Sequence, residues 1–285
     1  MINKSKIMSI NSKDLISLIQ LAIKEDFGEL GDITSLATIE SQRKAKFVIS
    51  NREDITLCGN DIIDISLKYF DSELNLVKNF NDGDFIKANS IIAQGEGGAR
   101  AILAIERIML NLLQHLCGIA SATRNYVDLV KHTKAIIRDT RKTLPLYRDM
   151  QKYAVKIGGG ENHRFTLDEM ILIKDNHIAI AGGVVQAFRV AKAKYPNKII
   201  EIECDTLEQV KEALQTNCEE ILLDNMSVEA LKEAVKLNNG RMKLEASGGV
   251  NINNVKSIAE TGVDYIAIGS LTHSVKASDI GLDID

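Results

Sequence analysis

From about residue 116 onward, short apolar runs alternate with helical patterns, and this rhythm restricts the chain to parallel βα units. The predicted strands are AIIRD (135–139), MILI (170–173), IIEIE (199–203), EILLD (220–224), MKLEA (242–246) and DYIAI (264–268). Between them the helix starts are marked: Thr206 with Gln209 makes a capping box, and Ser227 caps the helix through VEALKEAVKL. Six such units in about 150 residues fit either an α/β barrel or an open doubly wound sheet, and the pattern does not separate the two.

The first part of the chain reads differently. Apolar positions between Leu15 and Ile23 follow helical spacing. Segments 45–51 (AKFVISN) and 54–58 (DITLC) are rich in β-formers, and 85–94 ends in a glycine-containing turn, which together predict a small sheet domain. A helix over Ala99–Leu116 is apolar almost all round and is expected to lie buried between domains or subunits. The division expected is an N-terminal domain over 1–115 and a C-terminal domain over 116–285.

With 285 residues, 45% of them hydrophobic and 26% charged, the chain can bury a sizeable core. A net charge of -4 argues against a general nucleic-acid binder, so any anionic ligand must be met locally. Cys58, Cys117, Cys204 and Cys218 form no Cys-x-x-Cys pair, which fits a reducing compartment. No signal peptide is read at the N-terminus, and no stretch is read as approaching the roughly 18 apolar residues of a membrane span. The expectation is a cytoplasmic protein with neither membrane nor nucleic-acid partners.

The polar chemistry clusters by position. Asp139, Arg141, Lys174, Glu203, Asp224, Ser247 and Gly269 all fall at or just past the carboxyl ends of the predicted strands, where barrels place their sites. Solvated loops would also give polar ends, but six ends out of six are harder to explain that way. Residues 138–174 hold eight Lys or Arg against five acids, a local excess of three positive charges. Within it, Lys152 and Lys156 stand four apart on a helix and read as a solvated face. Arg141, Lys142 and Lys174 follow strands, where cations suit a carboxylate or phosphate. GGGENHR (158–164) reads as a flexible glycine hinge delivering His163 and Arg164. The turns SGG (247–249) and GSLTHS (269–274) read as phosphate cradles. Glu203 and Asp224 could be an acid/base pair, partners for lysines, or ligands for Mg²⁺, and the neighbouring phosphate turns favour magnesium. Glu201, alternating with Glu203, is read as pointing the other way.

Taken together, ERIMLNLLQ (106–114), DTRKTLPLYR (139–148), KYAVKIGGGENHR (152–164), LIKDNH (172–177), EIE (201–203), LDNM (223–226), EASGG (245–249) and GSLTHS (269–274) resemble the quinolinate phosphoribosyltransferases. The resemblance runs from GDITS (31–35) nearly to the end. It implies an N-terminal α/β sandwich domain, a C-terminal incomplete α/β barrel, and a homodimer in which one subunit covers the other's barrel mouth. It also implies de novo NAD biosynthesis chemistry: quinolinate and phosphoribosyl diphosphate give nicotinate mononucleotide, diphosphate and CO₂, with Mg²⁺. Position by position, Arg141, His163, Arg164 and Lys174 would hold the quinolinate carboxylates, with Arg107 reaching in from the partner. Lys142, Glu203 and Asp224 would serve the ribosyl diphosphate and its metal, and Ser247, Gly248, Gly249, Gly269 and His273 would hold phosphate. Arg107 sits among apolar Leu103, Ala104 and Leu110, with Glu106 or solvent as the alternative to an intersubunit anion. Ile108, His115, Leu144 and Leu146-Tyr147 depart from the family's common residues.

Three rivals are weighed: a same-fold paralogue with another acceptor, such as the molybdenum-transport-associated homologue, a Schiff-base lyase using Lys174, and an anion-binding protein without turnover.

Overall fold

The computed structural model describes residues 12–284. The chain runs α1 (Ser12–Phe27), α2 (Ile33–Thr38), β1 (Lys44–Asn51), β2 (Ile55–Thr56), α3 (Asn60–Phe70), β3 (Asn75–Lys78), β4 (Phe85–Ile86), β5 (Ile91–Gly98) and α4 (Ala99–Val130). It continues through β6 (Ile136–Arg138), α5 (Arg148–Ile157), β7 (Ile171–Ile173), α6 (Asp175–Ala181), α7 (Val184–Lys194), β8 (Ile200–Cys204), α8 (Leu207–Ala213) and β9 (Glu220–Asp224). Last come α9 (Val228–Asn238), β10 (Lys243–Ser247), α10 (Val255–Ala259), β11 (Tyr265–Ala267), α11 (Ser270–His273) and β12 (Ile280–Ile284). Two compact units result, each discontinuous in sequence: residues up to 122 with 149–158 and 274–285, and residues 123–148 with 159–273.

In the first unit an antiparallel sheet has the order β12-β1-β5-β3, so the last strand of the chain pairs with the first. β5 runs straight through Gly95, Gly97 and Gly98, where the sequence predicted a turn. The glycines are there because the backbone is approached closely: a Cβ on Gly95 would stand 2.2 Å from the Asn75 carbonyl and 2.8 Å from the Phe47 ring. Helix α4 extends well past the predicted end at Leu116. It also corrects the membrane reading, because by length and composition it is apolar enough to cross a bilayer. More than half of that apolar window is buried in protein, and Ile102, Ile105, Met109, Leu113, Leu116 and Ala120 belong to the core. In α5, Lys156 is exposed as predicted, but Lys152 is 0% exposed and engaged inside the protein.

The second unit is built on a six-stranded parallel sheet of order β6-β11-β10-β9-β8-β7, each predicted strand being present. β7 to β11 follow one another in a single sense and β6 is added beyond β11, whereas a doubly wound sheet reverses at a switch point. The sheet also curls. If it were flat, β6 and β9 would stand about 14 Å apart, yet Arg138 at the end of β6 reaches Glu220 on β9 at 2.8 Å. This is an α/β barrel of six strands, with β6 and β7 as its two ends. The predicted caps are formed: Thr206 Oγ1 accepts from Gln209 N at 3.2 Å while Gln209 Oε1 accepts from Thr206 N at 3.1 Å. Ser227 Oγ likewise accepts from Ala230 N, each such cap being worth about 1 kcal/mol.

Candidate active site at the carboxyl ends of the barrel strands

Strand register decides which side chains share the barrel interior. Leu172 pairs with Glu201, Glu203 with Leu222, Asp224 with Ser247, Glu245 with Tyr265, and Ala267 with Arg138. Because side chains alternate with period two, Glu201 and Glu203 lie on one face, and Asp224, Ser247, Glu245 and Arg138 lie on it too. The expectation that Glu201 points away from Glu203 is therefore corrected: a spacing of two preserves the face. The inward residues form two layers, one at the mouth and one largely buried below it.

At the mouth, Lys174 Nζ pairs with Glu203 Oε2 at 2.6 Å. Asp224 Oδ2 accepts from Asn225 Nδ2 at 2.6 Å, and Asn225 takes a left-handed φ of 53°. Gly248 (φ 87°) and Gly249 (φ 62°) follow Ser247 in a turn that only glycine fits, since a Cβ on Gly248 would fall 2.2 Å from Asn225 Oδ1. The other turn packs on the loop after β6: a Cβ on Gly269 would meet Lys142 Cδ at 3.1 Å and His273 Nε2 at 3.3 Å. Thr272 Oγ1 donates to the Lys142 carbonyl at 2.8 Å. Lys142, Gly269 and His273 are thus brought together, as are Lys174 with Glu203 and Asp224 with the Ser247–Gly249 turn.

Arg141 and Arg164 form the cationic part. Burial first, and the nearby Arg141 charge second, pull the Arg164 guanidinium below its ordinary value. Arg164 Nη1 donates to the Met170 carbonyl at 2.9 Å, while Arg141 Nε is buried with no hydrogen-bond partner among the described residues. Two like charges side by side, one with a buried unbonded donor, are what an anion's site requires.

The glycine segment 158–164 is not a flexible hinge. Glu161 bridges to Arg138 in parallel register. Asp139, 0% exposed, accepts from Asn162 Nδ2 at 2.6 Å and from the His163 main-chain N at 3.0 Å. Sequence reading placed Asp139 only as a strand end, and its role as the clamp on this loop went unseen.

Below the mouth lies a buried polar layer that sequence reading missed. His163 Nε2 is 2.9 Å from Glu201 Oε2, and its Nδ1 accepts from the Arg164 main-chain N at 2.9 Å. Both ring nitrogens thereby have partners within the protein. Arg138 Nη1 donates to Glu220 at 2.8 Å and to Glu245 at 3.0 Å, over the Tyr265 ring. Burial, and then the charge of Glu201, push the Glu245 carboxyl up to about 8. The available signal was the inward parity of Glu201, Glu220 and Glu245 with Arg138 on neighbouring strands.

Arg107, in the first unit, is 60% exposed on its side chain and lies 3.8 Å from Glu106.

Family models match both parts of the chain: the quinolinate phosphoribosyl transferase N-terminal domain over residues 32–117 and its C-terminal domain over residues 119–283. The chain belongs to the quinolinate phosphoribosyl transferase family. Within this family, it is 42% identical over 292 residues to the chloroplastic nicotinate-nucleotide pyrophosphorylase (carboxylating) of Oryza sativa subsp. japonica, spanning 95% of this chain and 78% of that protein. It is 42% identical to the nicotinate-nucleotide pyrophosphorylase (carboxylating) of Mycobacterium leprae, spanning 93% and 95%. The crystal structure of nicotinate-nucleotide pyrophosphorylase from Ehrlichia chaffeensis superposes with a TM-score of 0.92 at 46% identity, covering 95% and 98% of the two chains. The two-domain fold and the enzyme class implied by the motifs hold, and the carboxylating names of these relatives do not favour the paralogue with another acceptor.

Proposed function

We propose that this protein transfers the phosphoribosyl group of phosphoribosyl diphosphate to quinolinate with decarboxylation, giving nicotinate mononucleotide, diphosphate and CO₂ in NAD biosynthesis. The observation that carries this reading is the Arg141 and Arg164 pair, with the buried unbonded Nε of Arg141, at the mouth of a barrel whose glycine turns face the same end. A planar dicarboxylate supplies the two negative charges that such a pair lacks.

In this reading Arg141, Arg164 and Lys174 grip the quinolinate carboxylates, and Lys142 with the Ser247–Gly249 and Gly269–His273 turns receives the ribosyl diphosphate. The pyridine nitrogen attacks the ribose carbon as diphosphate leaves, so the site's task is to orient two anions and stabilise departing charge. Once the ring nitrogen is quaternary, its positive charge stabilises the carbanion left when the adjacent carboxylate departs as CO₂. Lys174 is ion-paired with Glu203, unlike the desolvated neutral amine of a Schiff-base enzyme.

Glu203 and Asp224 fit Mg²⁺ by their chemistry: two inward carboxylates at adjacent strand ends offer hard oxygen donors, the number a metal carried on a diphosphate takes from protein. Bound there, the ion would offset charge on the diphosphate. The exposed Arg107 supports a homodimer in which the partner subunit supplies that guanidinium to the site. Four free, buried cysteines support a reducing, cytoplasmic setting. The test is release of labelled CO₂ from carboxyl-labelled quinolinate. It should depend on both phosphoribosyl diphosphate and Mg²⁺, and turnover of nicotinate in place of quinolinate would contradict the reading.

A further inference from the structure

The inner layer beneath the mouth takes no part in the chemistry proposed above. It nevertheless gathers Arg138, His163, Glu201, Glu220 and Glu245 from four strands and a loop; His163, Glu201 and Glu245 are buried and Arg138 and Glu220 partly exposed, and burying such groups is costly unless they are organised. Glu201 and Glu245 are 0% and 1% exposed. Each uses one oxygen, Glu201 toward His163 and Glu245 toward Arg138, and each keeps a second buried oxygen, Oε1, with no hydrogen-bond partner among the described residues.

Ligand atoms of His163, Glu201 and Glu245 lie within 4.8 Å of one another, the spacing of a metal site. The hydrogen bonding of the ring argues against that use. Nδ1 receives the Arg164 N–H at 2.9 Å, so a hydrogen on Nδ1 would face another hydrogen. The ring hydrogen therefore sits on Nε2, aimed at Glu201, and the lone pair a metal would need is absent. Burial opposes charge on this ring, but the Glu201 hydrogen bond and the charges of Glu245 and Glu201 outweigh it and raise the ring's affinity for a proton above the ordinary histidine value. The Nδ1 contact nevertheless decides the tautomer, because the Nδ1 lone pair is already taken by the Arg164 main-chain N–H.

We infer that Glu201 and His163 are positioning residues: the Glu201 carboxylate fixes the imidazole, and the imidazole fixes the main-chain N–H of Arg164, so that the guanidinium is delivered to the substrate carboxylate in one orientation. The geometry is a bracket with two ends. His163 holds Arg164 at its backbone nitrogen, and the Met170 carbonyl holds it at Nη1. An arginine fixed at both ends loses little rotamer freedom on binding a dianion, and that saving appears in substrate affinity. The adjacent Asp139 contact holds the backbone of His163, and the Glu201 bond holds its ring.

This inference rests on the proposed function and is tested on wild-type enzyme already shown to turn over quinolinate, so that loss of the reading and loss of the inference are separate results. Glu201→Leu removes the acceptor at similar volume, whereas Glu201→Gln keeps a carbonyl oxygen for Nε2–H. E201L is expected to raise the quinolinate KM about tenfold or more by leaving the imidazole donor unbonded, with the phosphoribosyl diphosphate KM within about twofold. E201Q is expected to restore the quinolinate KM to within about threefold of wild type, and His163→Phe combined with E201L should be no worse than H163F alone. A melting temperature lowered in E201L with unchanged quinolinate KM would overturn the inference, as would an E201Q defect equal to that of E201L. Independently of whether E201L folds, ¹⁵N-histidine spectra of wild-type enzyme, with His163 assigned by its absence in H163F, should show hydrogen on Nε2 and none on Nδ1. Hydrogen on Nδ1 overturns the bracket.

Discussion

Gly248 and Asn225 occupy each other's space: the glycine's missing Cβ would lie 2.2 Å from Asn225 Oδ1 and 2.8 Å from Asn225 N. Gly248 also holds φ at 87°, so the turn after β10 depends on this residue twice over. Gly248→Ala should cost about 1–3 kcal/mol of stability through strain and displace Asn225 from Asp224. Urea unfolding gives the first quantity, and a raised KM for phosphoribosyl diphosphate with little change for quinolinate gives the second. An alanine variant with wild-type values of both would show that this turn does not shape the phosphate site.

The Asp139 clamp sets the loop that carries Arg164. Asp139→Ala leaves two donors, Asn162 Nδ2 and His163 N, without their acceptor in a buried setting. The expected loss is about 2–3 kcal/mol in denaturant unfolding, together with weaker quinolinate binding. Asp139→Asn, which keeps one oxygen, should fall between.

The clamp also shows how far the sequence could be read. The six strands were legible because buried parallel strands read as apolar runs ending in polar residues, and Thr206 and Ser227 announced their helices through local hydrogen bonds. The mouth residues Lys174, Glu203, Asp224 and Ser247 followed from strand ends alone. What failed depends on contacts distant in sequence. The segment 158–164 looked flexible because nothing near it shows that Asp139 holds it. Lys152 looked solvated because its helix presents that position to the interior. Gly95 resembled a turn because the Asn75 carbonyl that excludes a side chain lies on another strand. The buried layer was hidden by a parity slip at Glu201, which a strict period of two would have avoided.

Glu245 makes stability depend on pH. Its carboxyl, raised from 4.5 to about 8, keeps a proton in the folded protein that the unfolded chain has lost. Its contribution is fully present below pH 4.5, erodes as pH rises, and is gone above about 8. Glu245→Gln retains an acceptor for Arg138 and supplies a permanent N–H toward Glu201, so it should flatten that slope. Urea unfolding at pH 6 and pH 8.5 in both proteins measures it, and equal slopes would assign the dependence to other groups.

Lys174 lies at the mouth with nearly half its side chain exposed, paired to Glu203. Its removal should leave the fold intact, since exposed ion pairs contribute roughly 0–1 kcal/mol. Lys174→Ala is therefore expected to melt within a few degrees of wild type while kcat/KM falls roughly 10²-fold or more, the scale of losing a charge aimed at a reacting anion. A large drop in melting temperature with activity preserved would make Lys174 structural.

The central claim is that Arg141 and Arg164 together bind the dicarboxylate, and calorimetric titration of quinolinate into wild type, Arg141→Ala and Arg164→Ala tests it most directly. Each substitution should weaken binding by about 2–5 kcal/mol, because the substrate's charge is left buried without its partner. Quinolinate affinity unchanged in both variants would contradict the account.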